Sequence, residues 1–162
     1  MGEPQTNHKP ISSPKERAIE RPTGLSVIAI LMLLTVAGIV LYWALFLTHL
    51  EAQRTVYLAS RSEAWIAWEL SFPLPDAWIA ATATLSAVGL WRMRPTGLLF
   101  SLVSGGAMVF LGLIDGLFFL ENGLCIPLRP VITELLIIVW MLAFGSFVIY
   151  YTWQHRHQLA IK

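Results

Sequence analysis

Six side chains in this chain have types suited to holding or moving charge: Tyr42, His49, Glu69, Asp76, Asp115 and Glu134. They are set among long apolar runs, and an ionisable group inside a membrane span costs about 2.5–3.5 kcal/mol at its centre, which makes each one a candidate for function. A histidine with several carboxylates could ligate a divalent cation; oxygen-rich sets suit Mn, Mg or Ca, and imidazole suits Zn. A His–carboxylate pair could also carry protons or do acid–base work. Carboxylates beside the faces of Trp65, Trp68 or Trp78 could hold a cationic or amphipathic small molecule through cation–π contact. No HExxH spacing supports a catalytic metal, so neither metal nor cofactor is assigned. A purely architectural reading stands beside these, because carboxylates at helix starts are favoured by the positive end of the helix dipole.

The other reactive types carry less. His155-Arg156-His157 has an HxH spacing, but its place in a C-terminal tail reads as a basic interfacial anchor. Cys125 is the single cysteine, so there is no intrachain disulfide and no CxxC redox pair. Nothing resembles a phosphate-binding loop, a nucleophile elbow or a nucleic-acid surface, and no nucleic-acid partner is expected.

The elements that must position the six residues follow from composition. Of 162 residues, 56% are hydrophobic and 13% charged, against about a quarter charged in a soluble domain. That deficit implies an integral membrane protein. Unbroken apolar runs rather than alternating ones imply helices, not a β-barrel. The spacing predicts a disordered cytoplasmic tail over 1–22 and four transmembrane helices at about 24–47, 76–91, 96–120 and 131–153. A cytoplasmic tail over 154–162 closes the chain. Between the first two helices, Trp65, Trp68, Pro73, Pro75 and Trp78 suggest a segment around 60–75 lying along the membrane surface, where Trp is at home and Pro interrupts a helix.

Lys and Arg set the orientation. Eight fall in the tails and the 92–95 turn, and three in the two remaining loops, so both termini are expected in the cytoplasm. Asp115 lies 18 residues past Gly97, about 27 Å along a helix, which puts it near the outer boundary with Asp76 and Glu134. Helical spacing aligns Asp76 with Ala80, Ala83, Thr84 and Ala87, and Asp115 with Gly112, Met108, Gly105, Ser104 and Ser101. It aligns Glu134 with Ile138, Met141 and Gly145, and His49 with Thr35, Gly38, Tyr42 and Leu45. Small residues mark faces where membrane helices approach one another, so the four stripes can converge on one outward-opening acidic pocket. Arg21-Pro22-Thr23-Gly24-Leu25 recurs as Arg94-Pro95-Thr96-Gly97-Leu98, followed in register by Phe46-Leu47 and Phe119-Leu120. Duplication of a helix pair would explain this, as would separate use of Arg anchors and Pro helix starts.

The stretch Arg21-Pro22-Thr23-Gly24-Leu25-Ser26-Val27-Ile28-Ala29-Ile30-Leu31 resembles the first helix of many small bacterial four-helix membrane proteins, over about one helix. Glu69-Leu70-Ser71-Phe72-Pro73-Leu74-Pro75 is similar in outline to the start of the second helix in the fold of sterol isomerases and the sigma-2 receptor. That resemblance implies acidic residues near helix ends facing an amine or a sterol; no sterol chemistry is carried over.

The expectation is therefore an all-α, integral membrane four-helix bundle in a bacterial inner membrane, non-enzymatic, binding a small ligand or cation. A structural or accessory subunit of a larger membrane complex or homo-oligomer is the alternative, and a lipid-modifying membrane enzyme the third.

Overall fold

The computed structural model describes residues 22–49, 67–122 and 128–159, and the described part is all-helical. Its elements are α1 (Thr23–Thr48), α2 (Pro73–Trp91), α3 (Pro95–Asn122), α4 (Leu128–Gln154) and the single turn α5 (Arg156–Leu159). Residues 67–69 add a helical turn ahead of α2. Helices α1, α3 and α4 contain stretches long and apolar enough to cross a membrane, as expected of a multi-pass membrane protein. With 26 residues, α1 extends about 39 Å, more than a hydrocarbon core about 30 Å thick. The 19-residue α2 is less apolar, with Asp76, Thr82, Thr84 and Ser86 along it. Two of these, Thr82 and Ser86, are buried, because α2 lies between α1 and α3.

Two helices begin earlier than the sequence suggests, and both at prolines. Pro73 and Pro75 form the first turn of α2 instead of breaking it, and Pro130 falls in the first turn of α4. The first N–H groups of a helix have no internal partner, so a proline there loses nothing. Asp76 consequently stands one turn inside α2, its N–H donating to the Phe72 carbonyl at 2.9 Å. Glu134 lies more than a turn into α4, beyond the strongest part of the helix dipole. The expected surface segment around 60–75 is described only from 67 onward; residues 1–21 and the Cys125 loop lie outside the described residues.

Chain neighbours pack as spatial neighbours, α1 on α2, α2 on α3, α3 on α4, with α5 tucked beneath α3 and α4. The α2–α3 turn is closed by Arg94 N–H to the Gly89 carbonyl (2.9 Å) and Met93 N–H to the Leu90 carbonyl (3.1 Å). That is the Schellman pattern, and Met93 occupies its left-handed position with φ 52°. Immediately beyond, Gly89 and Gly97 lie backbone against backbone, with no room for a Cβ at either. Ser86 and Ser101 share a buried hydrogen bond at 2.7 Å. Gly105 and Gly145 make a second close crossing, between α3 and α4.

Along α1 the core is concentrated in the first half of the helix. On α1 the buried face is Leu25, Ile28, Ala29, Met32 and Thr35, a regular helical stripe, and nothing further is buried until Phe46. The stripe continues over Ile39, Tyr42 and Trp43, yet these are only partly buried. Over that stretch α1 and α4 stand apart, and the space between them is the site described next.

Candidate functional site

A cavity of about 690 Å³ opens between α1 and α4, in the half of the bundle where α1 ends and α2 begins. Its volume is that of a small-molecule site, about 300–1,000 Å³. Its floor is a hydrogen bond across the gap. Trp140 Nε1–H on α4 donates to Thr35 Oγ1 on α1 at 3.1 Å, and the Thr35 hydroxyl donates to the Leu31 carbonyl at 2.9 Å. Above the floor the walls are Ile39, Leu111, Ile138 and Met141. At the far end Tyr42, Glu69, Asp76, Asp115 and Glu134 all line the space.

The segment before α2 roofs that end. Trp68 stacks on Phe118 of α3, ring centroids 4.3 Å apart and planes 6° from parallel, and both rings face the cavity. Two adjacent residues of α1 tie the roof down. The Tyr42 hydroxyl donates to Glu69, and Trp43 Nε1–H donates to Asp76 Oδ2 at 2.7 Å. Successive residues point about 100° apart on a helix, so Tyr42 and Trp43 can reach partners seven residues apart on a turning segment.

Asp115 comes from the middle wall, on α3. Glu69 and Asp76 both lie within electrostatic reach of it, and among the described residues it has no donor comparable to Tyr42 or Trp43. No Lys, Arg or His is among the described residues that line the cavity. Burial pushes the Glu69 carboxyl above the usual carboxylate range; the Tyr42 hydrogen bond partly offsets this and the nearby Asp76 adds to it. Glu69, Asp76 and Asp115 therefore repel one another in a low-dielectric space with no cationic side chain among its described lining, a costly arrangement unless a proton or a cation joins them. The carboxyls are dispersed: among the described residues no three of His, Cys, Asp or Glu come together closely enough to hold a metal ion.

Five of the six residues singled out from the sequence are thus brought to one space. His49 is not. It ends α1 in an exposed position, its ring Nδ1 within 3.1 Å of the Leu45 carbonyl and 3.0 Å of Thr48 Oγ1. The stripe that carried it, through Thr35, Gly38, Tyr42 and Leu45, lines the cavity up to Leu45, and His49 falls beyond the roof. His155, in the C-terminal HxH, stacks on Tyr151 at 4.2 Å, and Arg156 sits over the Trp153 ring at 4.8 Å. Of the expected small-residue faces, Ala83, Ala87, Ser101, Ser104 and Met108 are buried in helix contacts, whereas Thr84 is exposed and its hydroxyl donates to the Ala80 carbonyl at 2.8 Å.

Sequence reasoning missed Trp43 and Trp140, the donors that fix the roof and the floor. The signal was present: a partly buried indole N–H needs an acceptor, and Trp43 lies at the depth of the acids. No protein-family model, curated protein or solved structure matches this chain.

Proposed function

We propose that this is a four-span membrane protein, both termini cytoplasmic, that binds a small organic cation in the cavity between α1 and α4. The observation that carries the reading is the charge balance of the cavity. Glu69, Asp76 and Asp115 share it with no cationic side chain among its described lining. The first two are held by neutral donors, which orient a carboxylate without neutralising it. A bound cation would supply the missing charge, with Asp115 as its nearest counter-ion. The stacked Trp68–Phe118 pair would offer aromatic faces beside it. The spread of the acids favours an organic cation over a metal ion. Eight Lys and Arg against three support the orientation, which sets the cavity in the outer half of the membrane.

The accessory-subunit reading stands as the alternative: small residues meet within the chain at Gly89–Gly97 and Gly105–Gly145, while Gly106 faces open space.

The test is thermal unfolding in a neutral detergent with alkylammonium ions of graded chain length and with divalent metals. A cation at a hundred times its Kd stabilises by about 2.7 kcal/mol. At least one alkylammonium ion should raise the melting temperature of the wild type and fail to raise that of Asp115→Asn. No shift with any amine, or an equal shift in Asp115→Asn, would refute the reading.

A further inference from the structure

We infer that the cavity is loaded sideways from the bilayer, and that its occupant is a single-chain amphiphile with a cationic head. This rests on the cavity being a cation site and adds the route and the tail. The first observation is what frames the opening. Leu34, Leu41 and Leu45 of α1 and Leu136 of α4 all line the cavity. They nevertheless remain 60%, 59%, 52% and 65% exposed. Both helices are apolar enough to cross a membrane. Leucines exposed on such helices face hydrocarbon, so the opening they frame faces it too.

The second observation is that the other approach is roofed. Residues 68–76 cover the head end, and the Tyr42–Glu69 and Trp43–Asp76 hydrogen bonds fasten that cover to α1.

The third observation is the polarity gradient. The acids are confined to one end, while Leu111, Ile138 and Met141 surround the other down to Trp140. A compact hydrophilic cation would use the first end and leave the second to water, which apolar cavities do not hold well. An ammonium or guanidinium head carrying one alkyl chain satisfies both ends. A carboxylate or sulfate head would meet the acids at that end and be repelled.

Gly38 supplies a clean probe, since it lines the cavity and a Cβ there meets nothing within 4 Å. Gly38→Leu fills the space without colliding with the backbone. The experiment uses the full chain in phosphatidylcholine vesicles with a trimethylammonium amphiphile spin-labelled at its chain terminus. An immobilised component should be present in the wild type, absent in Gly38→Leu, and displaced by unlabelled dodecyltrimethylammonium. Tetramethylammonium in at least about tenfold excess should leave it in place, because the chain contributes to binding. If tetramethylammonium displaces the label as well as the long-chain amine does, the cavity still binds cations but the amphiphile inference fails. If spin-labelled phosphatidylcholine shows the same Gly38-dependent component and the amine does not, the inference fails in favour of a bilayer lipid. If neither probe shows a Gly38-dependent component and no amine shifts the melting temperature, the cation-site reading falls with it.

Discussion

Two seams of this molecule are made from the same kind of helix and end differently. Between α2 and α3 the backbones touch at Gly89 and Gly97, serine hydroxyls pair at 2.7 Å, and the turn is wound into a Schellman motif. Between α1 and α4 the chain places Tyr151 against Gly24 and Trp140 against Thr35. Large aromatic groups bridge that seam where small residues close the other. A seam of small residues brings helices to contact along its length. A seam of aromatics holds them apart, and a cavity follows wherever the intervening side chains are short, as at Gly38. The helix starts 21–25 and 94–98 repeat, and each repeat's glycine meets the helix on the corresponding side, Gly24 on α4 and Gly97 on α2.

The closed seam should break first and hardest. Gly97→Leu forces a side chain into the Gly89 backbone, and a cost of about 3 kcal/mol or more is expected, read as lost thermal stability in detergent. The same substitution at Gly38, on the open seam, should leave the melting temperature within error of the wild type or raise it. A large loss at Gly38 would mean the open seam is not open.

Glu69→Gln comes next in size. A carboxyl whose folded pKa lies above its ordinary 4.5 favours folding when protonated. That contribution is complete below pH 4.5 and is lost as pH rises through the folded value. Among the described residues the groups that act on Glu69 are Tyr42 on α1, Asp76 on α2 and Asp115 on α3, and none of these is a cation. Stability should therefore fall with rising pH across the weakly acid range. Glu69→Gln should raise stability at neutral pH and flatten that dependence. It keeps an oxygen to accept from Tyr42. A rise in wild-type stability with pH over the same range would contradict the buried-acid account.

The smallest effect is at the turn. Met93 holds a left-handed conformation that costs a non-glycine residue about 1 kcal/mol, part of which glycine repays through its greater freedom when unfolded. Met93→Gly should stabilise by about 0.5 kcal/mol, visible as a small rise in denaturation midpoint.

How much of this could be read in the sequence depends on what a stripe can say. The apolar runs gave the helices, because length and hydropathy are local. Their starts slipped by three residues at α2 and α4, because Pro73, Pro75 and Pro130 read equally well as stops and as first-turn residues. Helical stripes made the convergence of Tyr42, Asp76, Asp115 and Glu134 legible, and Glu69 entered through the Trp- and Pro-rich stretch before α2. The loss of His49 was not, since periodicity carries a stripe past the point where its neighbour ends. Nor could the cavity itself be read. Thr35, Gly38, Tyr42 and Leu45 form one pattern whether they face a helix or a space. What separates these cases is Trp140 on α4, 105 residues from Thr35, and no local pattern connects the two.

The most direct test of the central claim is melting temperature against alkylammonium concentration for wild type and Gly38→Leu side by side. The account predicts a melting temperature without amine at least as high in Gly38→Leu as in the wild type, a saturable rise with amine in the wild type, and no rise with amine in Gly38→Leu. An equal rise in both would place the amine elsewhere and contradict the α1–α4 cavity as its site.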